Sequence, residues 1–433
     1  MIYQHIKSAL LNLKKFSCMR IRTGHYLSKG KDMKILICYP GTIEKSGGMQ
    51  HICAQFSNAM SERGHQVAIA WYGRKNAECF YPISQDVMIF SLKRKDTSDN
   101  VYHDVGHDVA GYDKVIREIL KAISRKAYRR WNDNCKRKIL SPGIRRTVEV
   151  YNPDVIISFS KDMTYFLSGN VSHIPVVTMM HIDPMHAFAD SYSEEIQALD
   201  KSNVIQVLVP SYIEAVRRFC PSTKVVYIPN PIRQAQHLAT LSESKKTYRV
   251  INMARLNKEQ KRQHILVEAF SRLADEFPDW ILELWGDNKT YPKYVSELNH
   301  LIQSKHLESR IFIKGATQKA GEVYASADIL GFPSAYEGFS LALMEAMSAG
   351  LPVVAFKSCP SVNEVVRDGI DGYLSDDNID SFTEKLRAMM LDKNLRIKMG
   401  DNAHKDAMKY APDRIWKRWE NLMNEVKGSE SRL

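Results

Sequence analysis

The chain has 433 residues, 44% apolar and 25% charged, which at about 100–200 residues per domain gives two or three domains with large cores and excludes a disordered, collagen-like or coiled-coil protein. No stretch approaches the ~18–20 uninterrupted apolar residues of a membrane span, and seven scattered cysteines without a CxxC pair suggest neither a disulfide framework nor a zinc ribbon, which fits a reducing cytoplasm. The net charge of +12 is lopsided: residues 1–150 hold 27 Lys/Arg against 13 Asp/Glu, and residues 151–433 hold 34 against 36, so one domain is expected to face an anionic partner.

Residues 1–32 read as a basic extension. Its short apolar run, Ala9-Leu10-Leu11 with Leu13, is too small for the core of a secretory signal, so export is not expected. Ile6, Ala9, Leu10 and Leu13 fall at helical spacing beside Lys7, Lys14 and Lys15, the pattern of a short interfacial helix. Met33 directly precedes the first strand signal, which equally makes the extension the product of an alternative translation start. That strand, Lys34-Ile35-Leu36-Ile37-Cys38-Tyr39, leads into a turn with Gly47 and Gly48 and then a helix running to Arg63-Gly64-His65. Paired glycines let backbone approach a ligand closely, and the helix amides behind them attract anions. The GxGxxG spacing of a dinucleotide reductase is missing.

The nearly continuous apolar runs Val67–Trp71, Val155–Phe159, Val176–Met180 and Val204–Val209 predict parallel strands buried on both faces. Between the first two lies a basic stretch, with Lys121, Arg125, Lys126, Arg129, Arg130, Lys136, Arg137, Lys138, Arg145 and Arg146, interleaved with Tyr128 and Trp131 and holding only Asp133 as an acid over residues 121–147. Basic and aromatic residues on one helix fit adsorption to an anionic membrane surface. Nucleic acid would use the same cations, but neither an RNA-binding aromatic signature nor helix-turn-helix spacing accompanies them, and it is not expected as a partner. His181 closes the third apolar run, with Asp183 two residues on as a local turn residue.

The prolines of Tyr227-Ile228-Pro229-Asn230-Pro231-Ile232 interrupt regular structure and place a domain junction near residues 212–240. A second strand series follows at Val250–Met253, Ile281–Leu284, Ile311–Ile313, Ile329–Phe332 and Val353–Phe356. The expectation is two Rossmann-like α/β domains with parallel sheets, over residues 33–215 and 226–412, facing a central cleft. Ile415, Trp419, Leu422 and Met423 form one face of a last helix, so residues 413–433 are expected to pack as core.

The second series carries the sharpest motifs. Arg255, Lys258, Lys261 and Arg262 crowd the loop after its first strand, which sets fixed cations at a strand's carboxyl end, where they would attract an anionic ligand. Gly286-Asp287 and Gly315 follow the next two strands, and Glu364 follows the fifth. After the fourth comes Pro333-Ser334-Ala335-Tyr336-Glu337-Gly338-Phe339-Ser340-Leu341-Ala342-Leu343-Met344-Glu345-Ala346-Met347-Ser348-Ala349-Gly350-Leu351-Pro352. Here a turn holding Glu337 opens a helix holding Glu345, and the helix start offers free amides to phosphate. Two acidic acceptors beside an anion site suit a ligand with hydroxyls next to phosphates.

On these residues the chain resembles the retaining glycosyltransferases of family 4, the glycosyl transferases group 1 of bacterial surface-polysaccharide type. The resemblance implies the GT-B fold, with the last helix crossing back to the amino-terminal domain. It implies that Glu337 contacts donor sugar hydroxyls, that Glu345 contacts the ribose, and that Gly338, Phe339, Ser340 and Leu341 present amides to sugar and diphosphate. Arg255 and Lys261 would hold the leaving diphosphate, with Lys258 and Arg262 as alternatives, because Arg262 stands where many members have glycine. Gly47 and Gly48 would face donor phosphate and acceptor, and His181 the transferred sugar. Gly286, Asp287, Gly315 and Glu364 complete the binding set, although the usual GxG is incomplete after Gly286. Ser358-Cys359-Pro360 replaces the usual glycines before Glu364, and Cys359 has no partner base that would make it a nucleophile.

The implied function is transfer of a sugar from a nucleotide-diphosphate donor, UDP-linked by family frequency, to a lipid-linked saccharide or polysaccharide in cell-surface glycan synthesis. No metal or cofactor is expected. The implied location is cytoplasmic, peripheral at the inner face of the membrane, with residues 1–150 against the anionic surface. A nucleotide-sugar epimerase or phosphorylase on the same fold, or a catalytically silent GT-B binding subunit, is the alternative.

Overall fold

The computed structural model describes residues 19–20, 33–44, 47–73, 78–92, 112–171 and 173–433. The interfacial helix expected around Ile6–Leu13 lies outside them. The chain forms two compact units. The first holds the residues up to Val207 together with Tyr212–Tyr227 and Arg418–Leu433, and the second holds Leu208–Ser211 and Ile228–Lys417.

The first unit is built on strands β1 (Met19–Arg20), β2 (Lys34–Tyr39), β3 (Gln66–Trp71), β4 (Met88–Ser91), β5 (Val155–Ser158), β6 (Val176–Met179), β7 (Val204–Val207) and β8 (Lys224–Tyr227). They lie in the order β1-β4-β3-β2-β5-β6-β7-β8, parallel from β4 to β8, with β1 antiparallel on the edge. Ile35, Ile37, Val67, Ile69, Ile156 and Ile157 are wholly buried, because helices cover both faces of a sheet with crossover connections.

The basic stretch forms a helix of 27 residues, Arg125–Tyr151, capped at its start by the Ser124 hydroxyl, which accepts from the Ala127 amide at 3.3 Å. Its Leu140, Ile144 and Tyr151 join Leu36 and Ile156 in the core. Gly143 permits that approach, since a Cβ there would lie 2.1 Å from the Leu92 carbonyl oxygen. The helix Pro412–Val426 ends in this unit, with Trp419 fully buried and edge-on to Phe56 at 5.1 Å between ring centroids.

The second unit holds β9 (Tyr248–Met253), β10 (Trp280–Trp285), β11 (Ile311–Gly315), β12 (Ile329–Phe332), β13 (Val353–Phe356) and β14 (Gly372–Ser375) in one fully parallel sheet, ordered β11-β10-β9-β12-β13-β14. From β9 the chain winds outward to β11, then returns to the other side of β9 and winds outward to β14. The switch between β9 and β12 splays their following loops apart and leaves a crevice at the carboxyl end of the sheet. In the first unit the same switch falls between β2 and β5.

Candidate active site

The loops after β9 and β12 carry the cations and the first glutamate of the predicted site, so both flank the crevice. Buried amides hold the end of β9 in place. Asn252 donates to the Gly331 carbonyl of β12 at 2.8 Å, and Gln263 donates to Asn252 Oδ1 at 3.3 Å and to the Arg255 carbonyl at 3.0 Å. A single helical turn, Lys258–Lys261, follows, capped by Asn257, whose Oδ1 accepts from the Gln260 amide at 2.8 Å. Gln260 ties this turn to the neighbouring loop: its carbonyl accepts from the Ala335 amide at 2.8 Å, and its side chain donates to the Tyr336 carbonyl at 3.2 Å.

These bonds bring Lys261 Nζ to 2.5 Å from Glu337 Oε1. Both residues are buried, and the ammonium also lies 5.7 Å from the centroid of the Phe332 ring. The neighbouring cations are engaged elsewhere. Lys258 pairs with Glu297 at 2.7 Å, and Arg262 pairs with Asp377 at 2.6 Å while lying over the Phe356 ring. Arg262 also adopts a left-handed backbone, φ 49°, where the turn breaks before the helix Gln263–Ser271, the conformation in which glycine is cheapest. Arg255 is exposed and forms no ion pair among the described residues.

The second glutamate sits on the helix Leu341–Ser348. Ser340 caps it by accepting from the Leu343 amide at 3.4 Å, and no acid occupies its first turn. Phe339 is buried against Tyr410 and anchors the entry to the helix. Burial pushes the Glu345 carboxyl up to about 7, with Tyr324 and Arg233 acting to hold it down.

Gly286 and Gly315 are joined by an amide-to-carbonyl hydrogen bond of 2.9 Å. A Cβ on Gly286 would lie 1.9 Å from the Ala254 carbonyl oxygen, so only glycine fits directly beside the Arg255 loop. The Asp287 carboxylate caps its own loop, accepting from the Thr290 hydroxyl and from the amides of Lys289 (3.0 Å) and Thr290 (3.2 Å), which lowers its pKa. Glu364 accepts from the amide of Ser211 at 3.2 Å and from its hydroxyl.

In the first unit, Gly47 precedes the helix Gly48–Glu62, which has neither a side-chain cap nor an acid in its first turn. Gln50 donates to the Thr42 carbonyl at 3.1 Å and closes this loop, of which Lys45 and Ser46 lie outside the described residues. His181 follows β6, its ring centroid 5.2 Å from that of Phe159. Its Nε2 is buried without a hydrogen bond among the described residues, and burial lowers its pKa to about 4, leaving a neutral imidazole at neutral pH. Asp183 is committed locally, accepting from the Met185 amide at 3.1 Å and pairing with His186 Nδ1 at 2.7 Å.

Of the expected residues, the structure draws Arg255, Lys261, Glu337, the start of the helix Leu341–Ser348, Gly286 and Gly315 to the crevice of the second unit, whereas Asp287 and Glu364 are occupied by other partners. Gly47, Gly48 and His181 follow strands of the first. Asn252, Gln260 and Gln263 were missed in the sequence, although they fix the geometry. Two Rossmann-like parallel sheets, each with functional candidates beyond its strands' carboxyl ends, define the chain as a GT-B protein.

Residues 234–406 match the family described as glycosyl transferases group 1, so the second unit carries a domain of that family. Over 205 residues the chain is 31% identical to an exopolysaccharide phosphotransferase of Streptomyces coelicolor, a match covering 47% of this chain and 21% of that protein. It is 27% identical to the poly(glycerol-phosphate) alpha-glucosyltransferase of Bacillus subtilis over 46% of this chain and 29% of that one. The chain thus spans less than a third of these relatives' length. Its fold is shared with Anabaena HepE in complex with UDP and glucose, at a TM-score of 0.64 and 17% identity over 90% of this chain and 99% of that one.

Proposed function

We propose that the chain is a retaining glycosyltransferase of family 4 type, moving a sugar from a UDP-linked donor to a lipid-linked saccharide or polysaccharide acceptor in cell-surface glycan synthesis. The observation that carries this reading is the Lys261–Glu337 pair at the switch between β9 and β12, beside Arg255, which forms no ion pair among the described residues, and the start of the helix Leu341–Ser348, whose first turn holds no acid. Glycan-directed names among the relatives and a UDP-bound structural neighbour support it.

In this reading Glu337 accepts hydrogen bonds from the donor sugar and Glu345 from the ribose. Arg255, Lys261 and the helix amides hold the diphosphate. As the anomeric C–O bond breaks, its electron pair passes to the diphosphate, where charge develops against Arg255 and Lys261. A diphosphate oxygen takes the proton of the acceptor hydroxyl, whose oxygen attacks the anomeric carbon from the face the leaving group vacates. The cations supply the charge stabilisation, so no metal is invoked. We assign to neutral His181 the role of meeting the transferred sugar. Among the described residues no helix is long and apolar enough to cross a membrane. We place the chain in the cytoplasm, peripheral at the inner membrane face, with residues 1–150 toward anionic lipid.

Two measurements test the reading. Thermal unfolding with a panel of uridine, guanosine and adenosine diphosphate sugars is expected to show stabilisation by one donor, lost in Arg255→Ala. Saturation at 100 times the dissociation constant adds about 2.7 kcal/mol, which at roughly 2–4 °C per kcal/mol for a domain of this size is a shift of about 5–11 °C. With that donor and an acceptor, an inverted anomer in the product would overturn retention, and no response to any donor would favour a silent binding subunit.

A further inference from the structure

The charges of the helix Arg125–Tyr151 separate into two groups. Arg125 pairs with Asp190, Arg129 with Asp162 and Glu195, Arg130 with Glu194, and Lys136 lies 4.0 Å from Asp133. Arg125, Arg129 and Arg130 bind the helix to its own domain, while the contact of Lys136 lies within the helix. Further along, Arg137, Lys138 and Arg145 line a cavity of about 290 Å³ together with Asn134, Ser141, Gly169 and Asn170. No carboxylate lines it, and Lys138 and Arg145 form no ion pair among the described residues.

The walls are fixed. Arg137 donates to the Ser168 carbonyl and lies 5.0 Å from the centroid of the Tyr165 ring. Asn170 Nδ2 donates to Ser141 Oγ at 2.9 Å and to the Phe166 carbonyl at 2.8 Å. Asn134 Oδ1 accepts from the Tyr165 hydroxyl at 2.6 Å, which leaves its amide nitrogen as a donor. Three cations converging on one concavity repel one another, and no protein anion here offsets the repulsion. Guanidinium, ammonium and amide donors on a held frame are the groups that bind phosphate oxygens. The cavity follows the end of the helix Lys161–Leu167, which leads away from the carboxyl end of β5, so it lies toward the opposite edge of the sheet from Gly47, Gly48 and His181.

We propose that this cavity is a phosphate-ester binding site, separate from the donor site, whose ligand is a phosphate group of either a membrane lipid or a soluble phosphate-bearing polymer. The proposal does not rest on the glycosyltransferase reading. The test uses the full chain at low ionic strength, with two probes: tripolyphosphate followed by calorimetry, and phosphatidylglycerol-containing against pure phosphatidylcholine vesicles followed by sedimentation. Lys138→Glu/Arg145→Glu alters two exposed side chains, and its fold is checked by thermal unfolding. Lys246→Glu/Lys293→Glu makes the same charge change on two exposed lysines of the second unit, and Arg255→Ala reports any anion bound at the other site.

The expected result is binding in at least one arm that weakens about tenfold in the cavity variant and by less than about threefold in both controls. The responding arm identifies the source of the phosphate. Absence of binding in both arms, equal weakening by Lys246→Glu/Lys293→Glu, or loss with Arg255→Ala instead, would overturn the proposal.

Discussion

At the scale of single residues, the site turns on which cation meets Glu337. Lys261 and Glu337 are both buried, so removing one partner strands the other charge. Lys261→Met is expected to cost about 3–5 kcal/mol in urea unfolding, and Lys261→Met/Glu337→Leu to recover most of that loss while remaining inactive. Lys258→Ala and Arg262→Gly, whose charges are paired with Glu297 and Asp377, should change donor affinity by no more than about threefold, since exposed pairs contribute little. A loss in either variant equal to that of Lys261→Met would return the role to the neighbouring cation.

Glu345 gives a pH signature. Its folded value of about 7 lies above the ordinary 4.5, so its contribution to stability is fully present below 4.5 and is lost as pH rises through 7. Donor binding should run the other way, because only the ionised carboxylate accepts two ribose hydroxyls. Affinity measured from pH 6 to pH 8 is expected to rise in the wild type and to stay flat in Glu345→Gln. A rise of the same size in that variant would assign the titration elsewhere.

At the scale of elements, the site is as rigid as the contacts behind the β9 loop. Gly286→Ala would drive a methyl group into the Ala254 carbonyl, with an expected cost of about 1–3 kcal/mol and a fall in kcat/KM as the Arg255 loop shifts. Asn252→Ala leaves the Gly331 carbonyl without this donor, also at about 1–3 kcal/mol, with the same readout. If either variant lost stability while kcat/KM stayed unchanged, the link between this frame and Arg255 would fail.

The same elements account for what was legible in the sequence. Strands buried on both faces, such as Val155–Ser158 and Val353–Phe356, announce themselves as unbroken apolar runs. Met88–Ser91, Lys224–Tyr227 and Gly372–Ser375 were not predicted, because they are only partly buried and carry polar or glycine residues among the apolar ones. The glutamates and the cations were visible through a motif. Asn252 and Gln260 were not, since a lone amide has no pattern and their partners lie 79 and 76 residues away. Apart from Asp133, the acids that bind Arg129 and Arg130 are likewise 33 to 66 residues distant, so a local count of charge overstated the basic surface.

At the scale of the molecule, the chain passes from the first unit into the second after Tyr227 and returns after Lys417, within the helix Pro412–Val426. Trp419 is the main apolar anchor of the return. Trp419→Ala is expected to cost about 3–5 kcal/mol, read as a lowered transition of the first unit, with the second unit's transition in place. A uniform drop of both transitions would mean that the two units unfold as one.

That return sets an order on synthesis. A ribosome delivers all of residues 228–417 before Trp419, so the second unit can complete its sheet while the first still lacks the helix that packs on Phe56. The half of the protein that begins first is therefore the half that finishes last. Until its final segment emerges it is an open hydrophobic surface, and a nascent chain stalled just short of that point is the form that chaperones would be expected to hold.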